Sequence, residues 1–230
     1  VRRKSKVHDM VEKFSILKSF EAIEAANIII LVVDASEGIT DQDTTLLGLI
    51  EDSGKSLIIV VNKWDGVEDS DKERVKVLLS RKFSFIDYAQ YHFTSALHGS
   101  GVGNIFKTIN KIEKSLKINV STSDMTDILE DAVAKHPPHM VKGRRIKIRY
   151  AHLGGTDPIR VIIHGNQTDK VPDAYRRYLA SVFRKRLKLV GTNVLVDFKQ
   201  SDNPFKGKIN ILTSRQINKR KRLMKFVKKR

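Results

Sequence analysis

The run Ile28-Ile29-Ile30-Leu31-Val32-Val33 contains no polar position and is rich in β-branched residues. An uninterrupted apolar run of this length predicts a strand covered on both faces, as in a parallel sheet. It ends at Asp34. The loop Ala35-Ser36-Glu37-Gly38 then leads into a stretch with Leu46, Leu47 and Ile50 on one side, closed by Gly54 as a helix C-cap. Leu57 to Val61 predicts a second buried strand that runs into Asn62-Lys63-Trp64-Asp65. A charged helix over roughly 70–82 carries Val75, Val77, Leu78 and Leu79, and Tyr91-His92-Phe93 predicts a short third strand ending at Thr94-Ser95-Ala96-Leu97. Beyond Gly99, Gly101 and Gly103, residues Val102, Ile105, Phe106, Ile109 and Ile112 recur at helical spacing. Strands that alternate with helices imply a doubly wound parallel sheet, whose sites lie beyond the carboxyl ends of its strands. Asp34, Asn62 and Thr94 all fall there.

From residue 119 the pattern changes. Asn119-Val120-Ser121-Thr122-Ser123 is polar, and Ser121 with Asp124 forms a capping-box pair before an amphipathic helix through Met125, Ile128, Leu129, Ala132 and Val133. His136-Pro137-Pro138 stops that helix. Arg144 to Tyr150 alternates, with Ile146 and Ile148 to one side and Arg145, Lys147 and Arg149 to the other. Gly154-Gly155 reads as a turn, Ile159 to Ile163 as a strand, and Pro172 as a first helical position before the stripe Tyr175, Tyr178, Leu179, Val182, Phe183. Val194 to Phe198 is a last strand. The order helix, strand, strand, helix, strand describes a small α+β unit. The expected organisation is therefore 1–118, 119–203, and a basic tail over 204–230 that is either a helix or unstructured until bound.

The 230 residues suffice for two domains, and 40% hydrophobic with 30% charged residues fits a globular chain. No apolar run approaches the ~20 residues that span a bilayer, so no membrane partner is expected. The N-terminal Val1-Arg2-Arg3-Lys4 lacks the apolar segment of a signal peptide. Cysteine is absent, which excludes disulfide and thiol chemistry and favours a cytoplasmic protein without a metal centre of its own. Charge changes the picture most. Residues 1–118 hold 17 basic and 17 acidic side chains, whereas 119–230 hold 26 and 9, so the whole net charge of +17 lies in the second part. A field that one-sided points to a polyanion, nucleic acid first.

The sharpest chemical signal is Asn62-Lys63-Trp64-Asp65, which matches the NKxD base-recognition motif of GTPases and directly follows a buried strand. A carboxylate there accepts from both N1–H and the N2 amine of guanine. Adenine offers no such donor pair and leaves the carboxylate unpaired, a discrimination on the order of 10⁴. Asp65 takes that role, Asn62 holds N7 and ties loops together, and the stem of Lys63 lies along the base plane. Thr94-Ser95-Ala96-Leu97 matches the companion element, in which the Ala96 amide donates to O6 and Leu97 covers the base edge, with Ser95 beside them. Trp64 reads as a packing residue, and Tyr175 and Tyr178 as core. No segment matches G-x-x-x-x-G-K-[ST], so the phosphate cradle and the magnesium-binding hydroxyl lie outside this chain.

Several further segments agree with one known pattern: Val32 to Ala35, Glu37 to Asp43, Val61 to Asp65, His136-Pro137-Pro138, Gly143 to Lys147, and Tyr175 to Leu179. Together they resemble the C-terminal part of the EngA family, also called Der, the tandem Era-like GTPases of ribosome assembly. The resemblance implies an incomplete P-loop-GTPase-type sheet, cut just after the second DxxG element with Val11 to Ala26 as the switch II helix. A KH-like domain follows. It also implies GTP/GDP and Mg²⁺ as cofactors of the full-length protein, hydrolysis by the parent with this stretch alone inactive, and a role in assembly of the large ribosomal subunit as a monomer. The expected partners are rRNA and an upstream GTPase domain of the same protein.

KH domains grip RNA through a GXXG loop, and residues 119–200 contain none. RNA contact is instead expected through charge, from Arg144, Arg145, Lys147, Arg176 and Arg177 and from Lys219, Arg220, Lys221 and Arg222 of the tail. The alternative is a non-catalytic RNA-binding scaffold whose GTPase-like half has lost its chemistry.

Overall fold

The computed structural model describes residues 18–141, 144–200 and 213–227. The chain divides into two compact units, 1–200 and 201–230. In the first, helix α1 (18–25) precedes β1 (Ile28–Asp34), α2 (Asp41–Ser53), β2 (Ser56–Asn62), α3 (Asp69–Lys82), β3 (Gln90–Phe93) and α4 (Val102–Leu116). The strands form a parallel sheet in the order β1-β2-β3.

Central β2 is buried along its apolar length because it is covered twice. Leu57, Ile59 and Val61 join the core beneath α2 and α3 with Leu47, Ile50, Leu79 and Phe83. Ile58 and Val60 pack on the opposite face against Ile112 of α4. Each such side chain contributes about 1.5–3 kcal/mol by leaving water. β1 departs from the expectation of two covered faces. It is an edge strand of the described sheet, and Ile30 and Val32 are 41% and 57% exposed. Its continuous apolar run is that of a central strand, but on its second face only Ile28 is packed by the described residues.

The helix joining the first strand pair, α2, is capped at both ends as local chemistry requires. Thr40 and Asp43 make a reciprocal capping box at α2, and Gly54 ends the helix in the left-handed region at φ 71°. Gly54 is doubly constrained, since a Cβ there would lie 2.7 Å from Leu195 Cγ.

The part from 119 contains α5 (Thr122–Lys135), a two-stranded pair β4 (Met140–Val141) and β5 (Arg144–Arg145), then β6 (Lys147–Thr156), β7 (Ile159–Asn166), α6 (Asp173–Arg186) and β8 (Leu195–Gln200). β6 and β7 are antiparallel, β7 and β8 parallel. Helices α5 and α6 cover one face of this sheet, with Met125, Leu129, Ile159, Val161, Ile163, Leu179 and Phe183 in the core. Tyr175 and Tyr178 donate from their hydroxyls to the carbonyls of His136 and Ala132, so both tie α6 to α5. The Ser121–Asp124 capping box is present.

Two sequence expectations are corrected here. Gly154 and Gly155 do not turn the chain; they lie inside β6, and the reversal occurs at Asp157-Pro158. A Cβ at Gly154 would lie 2.5 Å from Ile162 Cδ1, so a larger residue there would displace that side chain. Pro172 is the N-cap of α6 and not its first helical residue, with extended ψ of 152°.

The two parts of this unit share a tight seam. The Leu57 amide donates to Gly191 O at 2.7 Å, and the buried hydroxyls of Ser56 and Thr192 meet at 2.8 Å. Asn193 Nδ2 donates to Glu51 O at 3.0 Å, and Arg184 pairs with Asp87 at 2.6 Å. Val190 packs in the Ile58–Ile112 cluster. Thus β2 is anchored at its amino end by the second part and presents its carboxyl end, Asn62, to solvent-facing loops. In the second unit, α7 (Ser214–Val227) is a helix, and Lys219, Arg220, Lys221 and Arg222 are exposed on it.

Candidate functional site

Parallel register puts Asp34 opposite Asn62 at the carboxyl ends of β1 and β2. β3 ends at the same level, and the Thr94 amide donates to Val61 O at 2.9 Å. Three polar strand ends are thereby brought to one edge of the sheet, the edge at which such folds bind ligands.

Asn62 links the second and third loops. Its Oδ1 accepts from the Ala96 amide at 3.0 Å and from Thr94 Oγ1 at 3.4 Å. The Trp64 amide donates to Thr94 O at 3.0 Å, and the Trp64 ring lies 4.3 Å from that of Phe93. Trp64 is thus a packing residue that holds the 62–66 loop against β3. Gly101 closes the corner from behind. It sits at φ 78°, and a Cβ would lie 2.5 Å from Phe93 O.

Asp65 stands in the short 3₁₀ turn Trp64–Gly66. The buried Ser95 hydroxyl donates to its carboxylate, and this bond chiefly holds the carboxyl below its ordinary value. The residue's own backbone amide adds to this, and His98, 3.6 Å away, contributes a smaller electrostatic effect. Asp65 is therefore an ionised acceptor held in place by a buried hydroxyl. Leu97 projects from the same loop and is 84% exposed.

Lys63 takes the left-handed conformation at φ 59°, which an L-residue adopts only where its surroundings over-determine it. Its ammonium meets Asp34 Oδ2 at 2.5 Å. Asp34 Oδ1 also accepts from the Ser36 amide at 2.8 Å and the Ser36 hydroxyl at 2.6 Å. The Asp34 carboxyl is held well below the usual carboxylate range, first by Lys63 and then by Ser36, and the same pair raises Lys63 above the ordinary lysine value.

The structure thus gathers Asn62, Lys63, Asp65, Ser95 and Ala96 around one corner, with Leu97 at its rim. The Ala96 amide, assigned from sequence to a ligand oxygen, donates here to Asn62 Oδ1. The side-chain carbonyl of Asn62 is the nearest strong acceptor once the two loops are packed together. Asp34 was missed as a site residue. Its signal was present, an acidic residue ending an apolar strand in register with Asn62, but only tertiary pairing brings it to Lys63.

The basic residues are dispersed. Arg145 and Lys147 are exposed, while the side chain of Arg144 lies outside the described residues. Arg176 is partly engaged within the fold: it donates to Val196 O at 2.8 Å and stacks over the Phe198 ring at 5.3 Å, while its side chain remains 41% exposed. Arg176 and Arg177 both line a polar cleft of about 500 Å³ beside Glu51 and Asp173. Among the described residues, no group of three or more His, Cys, Asp or Glu side chains is arranged to hold a metal ion, and no helix is long and apolar enough to cross a membrane.

Two family models match the chain. "Elongation factor Tu GTP binding domain" matches residues 14–134, and "KH-domain-like of EngA bacterial GTPase enzymes, C-terminal" matches 119–199. Among curated proteins, "GTPase Der" of Pseudomonas entomophila is 51% identical over 229 residues, covering 100% of this chain and 47% of that protein. "GTPase Der" of Teredinibacter turnerae is 54% identical over 230 residues, covering 100% of this chain and 50% of that protein. The chain therefore spans about half the length of the curated relatives it matches. Among solved structures, Era in complex with MgGDPNP and nucleotides 1506–1542 of 16S ribosomal RNA is 18% identical. The match covers 79% of this chain and 67% of that chain, with a TM-score of 0.35.

Proposed function

The chain belongs to the EngA (Der) family of bacterial GTPases, and on that premise we propose that residues 1–118 form the guanine-recognising side of a GTP-hydrolysing site. The observation that carries the reading is the Asn62–Ala96 bond at 3.0 Å beside the Ser95-held Asp65 carboxylate. Asp65 accepts from guanine N1–H and the N2 amine. Asn62 offers Nδ2 to N7 while its Oδ1 holds the neighbouring loop. The stem of Lys63, anchored at its tip by Asp34, supports one face of the base, and Leu97 folds over its edge. Base entry turns the Ala96 amide from Asn62 toward O6, and Thr94 Oγ1 then remains the loop contact of Asn62 Oδ1. Bound magnesium would neutralise charge on the phosphates, and its ligands and the phosphate cradle are assigned to residues outside 1–230. This stretch alone is accordingly expected to hydrolyse nothing.

Residues 119–203 and the tail 204–230 are assigned to RNA contact in assembly of the large ribosomal subunit, in the cytoplasm. The +17 net charge supports a polyanionic partner. Arg144, Arg145, Lys147, Arg176, Arg177 and the α7 cations are the phosphate contacts, with Arg176 also bound to Val196 O within the fold.

The test is nucleotide binding by the full-length protein. Fluorescent GDP should bind, excess ATP should not displace it, and Asp65→Asn should abolish binding. Equal competition by ATP, or undiminished binding by Asp65→Asn, overturns the assignment.

A further inference from the structure

The sheet β6-β7-β8 has one face under α5 and α6, and its other face bears a stack of rings. Tyr150 and His164 lie parallel, with ring centroids 4.5 Å apart and planes inclined by 6°. His152 continues the stack at 5.2 Å from His164 and 6.3 Å from Tyr150. Register places Tyr150, His164 and Lys199 opposite one another across the three strands, so phenol, imidazole and ammonium form one row.

Simple alternation from Ile146 and Ile148 would send Tyr150 into the core. A register shift between Ile148 and Tyr150 inserts Arg149 as an extra residue and moves Tyr150 to the open face. There the tyrosine is 41% exposed. A large aromatic ring is thus held out toward solvent by an irregularity in the backbone. Beneath it, His164 Nε2 is buried without a hydrogen-bond partner. Burial and the nearby His152 and Lys199 keep this imidazole below its ordinary pKa. Lys147 and Lys199, both exposed, flank the stack on β6 and β8. The one acidic residue of the three strands, Asp197, is neutralised by Arg160.

We propose that this face is a stacking platform for an unpaired nucleobase of RNA, with Tyr150 as the ring on which the base lies and Lys199 and Lys147 as the contacts to its flanking phosphates. The proposal rests on the RNA-binding reading above and gives it a place where an unpaired base is distinguished from a duplex. Parallel rings with a cationic border suit a π-face and its phosphates, and every base has such a face, so the platform selects strandedness over sequence. The absence of a GXXG clamp in residues 119–200 leaves base contact to another device, and an open aromatic sheet face supplies one.

The experiment titrates the chain into a short single-stranded RNA carrying one 2-aminopurine, whose fluorescence falls when it stacks. Binding with quenching is expected for the unaltered chain. Tyr150→Ala should weaken binding by about 5- to 150-fold and abolish the quench. Tyr150→Phe should retain both, since the ring and not the hydroxyl is used. Lys199→Ala should lower the salt dependence by about one counterion and leave the quench intact. Duplex RNA of the same sequence should be indifferent to Tyr150→Ala. If Tyr150→Ala binds the single strand with unchanged affinity and quenching, the platform is refuted while RNA binding stands. If the unaltered chain shows no salt-dependent RNA binding, both readings fall together.

Discussion

Asp34 ends β1 and Lys63 immediately follows the end of the adjacent parallel strand β2, and their side chains meet at 2.5 Å. The left-handed backbone at Lys63 directs that contact, and Ser36 holds the other carboxylate oxygen. The lysine whose stem is proposed to support the base is therefore tethered before any ligand arrives.

Removing the tether tests its purpose. The pair lies at the surface, with Lys63 63% and Asp34 20% exposed, so Asp34→Asn should leave thermal stability almost unchanged. GDP affinity of the full-length protein should fall about two- to fivefold. In a double-mutant cycle, Lys63→Ala should make Asp34→Asn silent for binding. Additive losses would separate Asp34 from the lysine.

The same pair has a defined pH window. Asp34 is lowered, so its contribution is complete above the ordinary carboxylate value of about 3.9 and disappears as pH falls through the depressed value. Lys63 is raised, so its contribution is complete below the ordinary lysine value of about 10.4 and disappears as pH rises through the elevated one. Carboxyl chemical shifts followed by NMR should show Asp34 still ionised where exposed aspartates have titrated. An Asp34 midpoint at the ordinary value removes the ion pair from solution.

Asp65→Asn exchanges an acceptor for an amide that can also donate. Guanine should be rejected on the order of 10⁴-fold, because its N1–H and N2 donors then face an amine. Xanthine carries a carbonyl where guanine carries that amine, so xanthosine diphosphate should bind the variant better than GDP does. Competition binding with the two nucleotides decides this, and an unchanged preference for GDP counts against a base contact at Asp65.

The seam supplies a stability prediction. Arg184 has a side chain only 9% exposed, pairs with Asp87 at 2.6 Å and lies over the Tyr88 ring at 5.5 Å. Arg184→Ala should cost about 2 kcal/mol, read as a fall in melting temperature. Arg186 makes an outwardly similar pair with Asp131, but there both side chains are more than half exposed. Arg186→Ala should therefore cost about 0–1 kcal/mol. Equal losses would mean that burial does not set the value of these arginines.

Glu51 lies at the same seam and is raised, mainly by burial and then by the charges of Asp52 and Asp87, with Arg177 opposing. A raised carboxyl favours the folded state below its unfolded value and loses that advantage as pH rises through the folded one. Glu51→Gln should accordingly raise the melting temperature slightly near neutral pH and have no effect in acid. A lower melting temperature at neutral pH would show that Arg177 outweighs the burial cost.

Local sequence determined much of this protein. The uninterrupted run at 57–61, Gly54 after Leu47 and Ile50, and the Ser121–Asp124 pair depend on periodicity, backbone freedom and short-range hydrogen bonds, all of which act within a few residues. Parallel pairing then brings the ends of β1, β2 and β3 to one edge, so the neighbourhood of Asn62, Asp65, Ser95 and Ala96 follows from their positions just past strand ends. Tertiary structure decided the rest. Arg176 and Arg177 are adjacent, chemically alike and line the same cleft, yet only Arg176 also donates to Val196 O and lies over the Phe198 ring. Asp34 finds Lys63 only through strand register, and Ala96 finds Asn62 only through loop packing. The bulge at Arg149 turns Tyr150 to the open face against its own alternation. Period and propensity are properties of neighbours in the chain, whereas register, burial and the choice of hydrogen-bond partner are settled by groups that meet only when distant segments pack.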